Sequence, residues 1–153
     1  MSTRCFCGHF SAGVNVWIAL VAEGHSHHLA ARRWFQARAN SSVAFCRITQ
    51  MGVLRLLTNP HVMGRAPRSI AEAWEIFTRL HDDRRVVFEA EPDGVDAAWQ
   101  RLMTSPGVGA SSWTDAYLAA FAHLQSYELI TFDQGMDRWT EIRKTILTKL
   151  NRI

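Results

Sequence analysis

Ser111-Ser112-Trp113-Thr114-Asp115-Ala116-Tyr117-Leu118-Ala119-Ala120, followed by Leu129-Ile130-Thr131-Phe132-Asp133-Gln134-Gly135, is the stretch that decides how this chain is read. Its first half opens an apolar helix with Asp115 in the first turn. Its second half is a β-rich run that ends in Asp133 before a Gln-Gly turn. The two aspartates lie eighteen residues apart. In a parallel α/β sheet, strand C-termini and helix N-termini share one edge, where ligands bind. Two carboxylates meeting there suit Mg²⁺ or Mn²⁺. Each aspartate also has a plainer reading. Ser112-Trp113-Thr114-Asp115 has the form of a capping box, and Asp133 before Gln134-Gly135 that of a turn residue.

Working outward, strands alternate with helices. Helices are expected at Val14 to Val21 with Asn15 as N-cap, His27 to Ala39, Ile48 to Leu57, Ser69 to Leu80, Val95 to Met103 and Ser112 to Gln125. Asn59-Pro60 stops the third of these, and Ser69 with Glu72 forms a capping box at the fourth. Strands are expected at Ser42 to Cys46, Arg85 to Glu89 and Glu128 to Phe132. Asp137 caps a further helix suggested by Arg138, Trp139 and Ile142. This alternation predicts a parallel sheet flanked by helices. The first strand is the poorest match, because a central parallel strand should be a Val/Ile/Leu run. Cys5, Phe6, Cys7 and Phe10 are broken by Gly8, His9 and Ser11, and the best placement is Arg4 to His9.

Composition narrows the class. A chain of 153 residues with 48% hydrophobic content and six Trp fits one domain, residues 1–153, with an adequate core. Its longest apolar stretch, Val16 to Ala22, is too short to span a membrane. The N-terminus lacks a basic segment followed by a long apolar one, so no secretion signal is expected. Three cysteines, Cys5, Cys7 and Cys46, without a C-x-x-C pair point to reduced thiols in a cytoplasm.

Charge is unevenly distributed. From Met1 to Ala71 the only acid is Glu23, against eight Arg and five His. Such a field favours a polyanion or an acidic partner chain. A solvated basic surface without a ligand accounts for it equally well. His25-Ser26-His27-His28 is dense in imidazoles but lacks a second ligand set, and reads as a helix start. Absence of G-x-x-x-x-G-K-[ST], G-x-G-x-x-G and G-x-S-x-G argues against P-loops, Rossmann cofactors and serine hydrolases.

Five stretches taken in order resemble one family. They are Val14-Asn15-Val16-Trp17-Ile18-Ala19-Leu20, His27-His28 to Trp34-Phe35, Ile48-Thr49-Gln50 to Thr58-Asn59-Pro60, Thr114-Asp115-Ala116-Tyr117-Leu118, and Thr131-Phe132-Asp133-Gln134-Gly135. Together they resemble PIN-domain proteins of the VapC type, the ribonuclease toxins of bacterial toxin–antitoxin pairs. The resemblance implies a three-layer α/β/α domain with a central parallel sheet and an acidic pocket for Mg²⁺ or Mn²⁺. It implies metal-activated water attacking an RNA phosphodiester, in tRNA or another structured RNA. A VapB-like antitoxin that plugs the site and a homodimer are also implied. By this likeness Asp115 and Asp133 are the metal-site carboxylates, Asn15 a supporting polar group and Asp137 an extra acid. Gln50 falls where many members carry an acid.

One position departs from the pattern. The family's first aspartate stands two residues before the Asn, and here the order is Gly13-Val14-Asn15. Glu23, about two helical turns from Asn15 at roughly 1.5 Å per residue, is a poor substitute. Residues 1–12 also form an atypical N-terminal segment, so both departures fall in the same dozen or so residues, as altered N-terminal coding would produce. Loss of a central carboxylate weakens metal binding and misplaces the attacking water.

Overall fold

The computed structural model describes residues 8–63 and 67–148. Five parallel strands form the sheet: β1 (His9–Ala12), β2 (Ser42–Phe45), β3 (Val86–Phe88), β4 (Glu128–Thr131) and β5 (Lys144–Ile146), in the spatial order β3-β2-β1-β4-β5. Seven α-helices complete it: α1 (Val14–Val21), α2 (His28–Gln36), α3 (Arg47–Leu57), α4 (Pro60–Met63), α5 (Ile70–Asp82), α6 (Val95–Met103) and α7 (Trp113–Leu124).

Period-two alternation along the strands splits the core into two layers. Ile130, Phe45 and Val43 join α1, α2, α3 and α5 on one face, where Trp17 stacks on Phe45 at 3.9 Å. Leu129 and Cys46 join α6 and α7 on the other. The result is a three-layer α/β/α fold. Ala116 through Ala122 of α7 are all buried, as expected of a helix apolar around its circumference. Gly52 marks the closest helix contact, since a Cβ there would meet Val14 Cγ2 at 2.6 Å.

Topology places the functional edge. The chain moves outward from β1 through β2 to β3, crosses to β4 on the other side of β1, and continues to β5. Strand order therefore reverses between β1 and β4. In open parallel sheets this reversal leaves a crevice at the strands' C-terminal ends. Gly13 follows β1 and Asp133 lies just beyond β4, so both border it.

Several expectations are corrected. The first strand is His9–Ala12, not Arg4 to His9; Arg4 to Cys7, with Cys5, lie outside the described residues. Gly13, not Asn15, is the N-cap of α1. Pro60 both ends α3 and opens α4. The helix expected after Asp137 is a 3-10 turn, Gln134–Arg138, followed by β5. Ser69 does cap α5, accepting from Glu72 N at 3.1 Å.

Candidate active site

Thr131 is the hub of the β1/β4 crevice. It is the last residue of β4 and only 1% exposed. Its Oγ1 accepts from Asn15 Nδ2 at 3.2 Å and from the Asp133 backbone N–H at 3.0 Å. Asn15 Oδ1 in turn accepts from the Phe132 backbone N–H at 3.3 Å. The start of α1 is thereby tied to the loop that carries Asp133. Asp133 also makes the turn its sequence suggested, since its Oδ1 accepts from Gly135 N at 2.8 Å.

Asp115 occupies the third position of α7, where the helix N-terminus favours negative charge. The capping-box alternative is not realised, because Ser112 makes no side-chain cap. Ser112 Oγ instead accepts from Arg138 Nη1 at 2.6 Å, and Arg138 Nε donates to Gly135 O at 2.6 Å. Arg138 thus fastens the start of α7 to the turn after Asp133. The two aspartates meet across this junction. Burial, then hydrogen bonding with Asp133 and its like charge, push the Asp115 carboxyl up to about 6, opposed by the Arg138 charge. Like charges sharing a site disfavour double ionisation. A carboxyl raised by burial and a neighbouring carboxylate in a crevice marks a candidate functional site.

Gly13 sits beside the Asn15–Thr131 network that holds the Asp133 loop. It adopts φ −68° and ψ 165°, open to any residue, and its N–H donates to Ile130 O at 2.9 Å. A Cβ built there would lie 3.4 Å from Asn15 Oδ1, 3.5 Å from Ile130 O and 3.8 Å from Thr131 Oγ1. A side chain at position 13 therefore fits in ordinary contact and starts among the groups that hold Asp133. Glu23 is exposed beyond the far end of α1.

The remaining expected residues are dispersed. Gln50 is buried near the start of α3, where its Oε1 accepts from Arg47. Among the described residues no hydrogen bond joins it to either aspartate. Asp137 is exposed on the 3-10 turn. Among the described residues no three His, Cys, Asp or Glu side chains converge on one point. In the His25 to His28 run, His27 stacks on Phe132 at 4.2 Å and His28 Nδ1 lies 2.8 Å from Ala19 O. Thr131, Ser112 and Arg138 went unrecognised in the sequence. Only the placement of Thr131 at a strand end, two residues before an aspartate, hinted at its role.

The donor set suits a hydrated divalent ion. Mg²⁺ is commonly held by one or two carboxylates with several retained waters, and Asp115, Asp133 and the adjoining amide and hydroxyl oxygens are all hard donors.

Comparison with known proteins agrees with this architecture. The PIN-domain family matches residues 14–141, beginning one residue after Gly13. Ribonuclease VapC41 of Mycobacterium tuberculosis is 40% identical over 140 residues, covering 88% of this chain and 96% of that protein. Ribonuclease VapC38 of the same organism is 33% identical over 123 residues, covering 80% and 84%. Among solved structures, VapBC2 from Rickettsia felis bound to a promoter DNA fragment aligns with a TM-score of 0.68 at 12% identity, over 92% of this chain and 99% of that one. VapC20 of M. tuberculosis, a sarcin-ricin loop cleaving toxin, aligns at 0.66 and 16% identity, over 87% and 95%. These two share the fold. The family match and the 40% relative place this chain in the PIN-domain family, among the VapC-type ribonuclease toxins.

Proposed function

We propose that the chain is a metal-dependent endoribonuclease toxin of the VapC type whose cleavage is impaired at Gly13. The supporting observation is that Asp115 meets Asp133, whose hydrogen bonding and like charge raise it, while position 13 accepts a side chain without strain beside the Asn15 and Thr131 groups that hold the Asp133 loop. In this reading Asp115 and Asp133 bind Mg²⁺ or Mn²⁺ directly. Asn15 positions the loop through Thr131 and Phe132, and Asp137 would be a further carboxylate for the ion. Gln50 supports the pocket wall without an acid's charge. A bound divalent ion would supply a water of lowered pKa and would neutralise charge on the phosphodiester. The chain's own contribution is orientation, with Thr131 and Arg138 holding the two carboxylate-bearing segments in register. RNA is the substrate by likeness to the named ribonucleases, with tRNA or another structured RNA as its class.

A VapB-like antitoxin is the proposed partner, by likeness to the VapBC complexes, and a homodimer the proposed assembly. The cytoplasm is the proposed compartment, and no described helix is long and apolar enough to cross a membrane. Residues 1–153 form one domain in this reading. A second reading, favoured by Gly13 itself, is a PIN module that engages antitoxin or RNA without efficient cutting. Cleavage of a structured RNA by the parent chain and by Gly13→Asp, with Mg²⁺ and with EDTA, separates the two. The enzyme reading expects weak cutting by the parent, strong cutting by the variant and none with EDTA. No gain in Gly13→Asp removes the enzyme reading and leaves the module. Efficient EDTA-sensitive cutting by the parent would show that the site is not impaired.

A further inference from the structure

An aromatic cavity opens beside the aspartate pair. Its volume is about 420 Å³, and its walls include Arg47, Ile48, Glu91, Trp99, Trp113 and Tyr117. Thr114 also lines it and directly precedes Asp115, so the cavity and Asp115 share the first turn of α7.

The aromatic wall is rigid and presented to solvent. Trp113 is 54% exposed. Trp99 Nε1 donates to the Trp113 carbonyl at 2.8 Å, and the two rings meet edge to face at 5.6 Å and 80°. Trp99 meets Tyr117 in the same way at 5.5 Å and 84°. Tyr117 is fixed at its far end, where its hydroxyl donates to Glu91 Oε2 at 2.7 Å. A large indole that is half exposed yet held in place adds little to the core. It is suited to covering a flat ligand.

We infer that this cavity receives an unstacked nucleobase of a single RNA strand whose neighbouring phosphate would be held by a divalent ion on Asp115 and Asp133. Two features favour a base over an apolar peptide side chain. The walls carry a guanidinium at Arg47 and a carboxylate at Glu91, whose Oε1 has no hydrogen-bond partner among the described residues. Arg47 already donates to Gln50 and Glu91 accepts from Tyr117, but an apolar side chain seated there would leave the remaining Arg47 donors and Glu91 Oε1 without a partner, which is costly. A base offers a π face to Trp113 and polar edges to Arg47 and Glu91, the usual mode for unpaired bases.

The inference rests on the ribonuclease reading for its ligand, and its test is separable from it. Binding of a short single-stranded oligocytidine and of a charge-matched abasic oligomer is measured on the full chain in EDTA, with Trp113→Ala and Trp113→Phe alongside. Base stacking predicts that the parent prefers the base-bearing strand by about 5- to 100-fold. Trp113→Ala should abolish that preference without changing abasic affinity, and Trp113→Phe should keep most of it. Unchanged melting of both variants verifies that the fold is intact. Equal binding of the two oligomers by the parent, or a preference that survives Trp113→Ala, overturns the inference and leaves an apolar peptide side chain as the occupant. Preference for bases without cleavage by Gly13→Asp retains the pocket and removes the nuclease reading. Cleavage by Gly13→Asp with the same KM in the Gly13→Asp/Trp113→Ala double variant does the reverse.

Discussion

Replacing Gly13 by Asp should make the metal-free protein less stable and the metal-bound protein more stable, and both effects can be sized from the structure. Sterically the change is mild, because the backbone at φ −68° and ψ 165° admits any residue and the new Cβ meets nothing closer than 3.4 Å. An N-cap Asp in place of Gly contributes only a few tenths of a kcal/mol. Electrostatics dominates. A third carboxylate brought within roughly 6 Å of one ionised carboxylate, in an effective dielectric of about 20, would add a repulsion of about 3 kcal/mol before screening. Asp115, already pushed up to about 6, can take a proton and relieve part of this. A net loss of about 1–2 kcal/mol at neutral pH is expected, which for a domain of this size lowers Tm by about 2–8 °C. Metal reverses the sign. A direct ligand should tighten Mg²⁺ or Mn²⁺ at least as much as outer partners do, roughly 10- to 100-fold. At 100 times Kd the bound ion adds about 2.7 kcal/mol. Melting curves of parent and variant in EDTA and in a Mg²⁺ series should therefore cross. Two curves shifted together by Mg²⁺, or a variant unaffected in EDTA, would refute the placement of position 13 beside the carboxylates.

Three further outcomes follow from the same geometry. Asp115→Asn should stabilise the metal-free chain above about pH 6 and abolish cleavage. The folded carboxyl titrates near 6 against an ordinary 3.8, so the native state holds the extra proton between those values. Parent stability must then fall as pH rises through that window and level off above it. The full shift corresponds to about 3 kcal/mol, and solvent screening of this partly exposed group reduces that to about 1 kcal/mol; a parent melting curve flat from pH 4 to 6.5 would contradict the coupling. Thr131→Val removes the hydroxyl shared by Asn15 and the Asp133 N–H, and denaturant unfolding should show a loss of about 1–3 kcal/mol. Arg138→Gln should raise the Asp115 pKa further, readable by carboxyl NMR titration, because the opposing charge is lost; an unmoved or lowered value would show that Arg138 does not act on Asp115.

The fold was legible where hydrophobic periodicity was strong and illegible where tertiary contacts chose the conformation. α6 and α7 declared themselves through apolar spacing, and β4 through a Leu-Ile core bounded by a turn. β1 did not, because His9-Phe10-Ser11-Ala12 carries little intrinsic β preference. Its pairing with β2 on one side and β4 on the other makes it a strand, which is packing context and not propensity. β5 is three residues long and begins with Lys144 at the sheet edge, where short, charged strands are common. The helix expected after Asp137 gave way to the turn closed by Asp133 and Gly135.

The site divides along the same line. Asp115 and Asp133 stood out because strand-end and helix-start positions converge in any parallel sheet, and the coupled carboxyls lie where that rule puts them. Thr131, Ser112 and Arg138 were invisible because their importance is relational. One hydroxyl matters for the two segments it joins, and Arg138 for bridging Ser112 to Gly135. Gln50 was named by likeness alone, and its hydrogen bond runs to Arg47 within its own helix.

Mn²⁺ anomalous scattering from crystals of the parent and of Gly13→Asp, soaked at the same concentration, tests the proposed metal site most directly. The expected result is a strong peak within bonding distance of Asp115 and Asp133 in Gly13→Asp, and a weak or vanishing peak at that place in the parent. Full Mn²⁺ occupancy in the parent, or a peak in the variant that touches neither aspartate, would contradict the assignment.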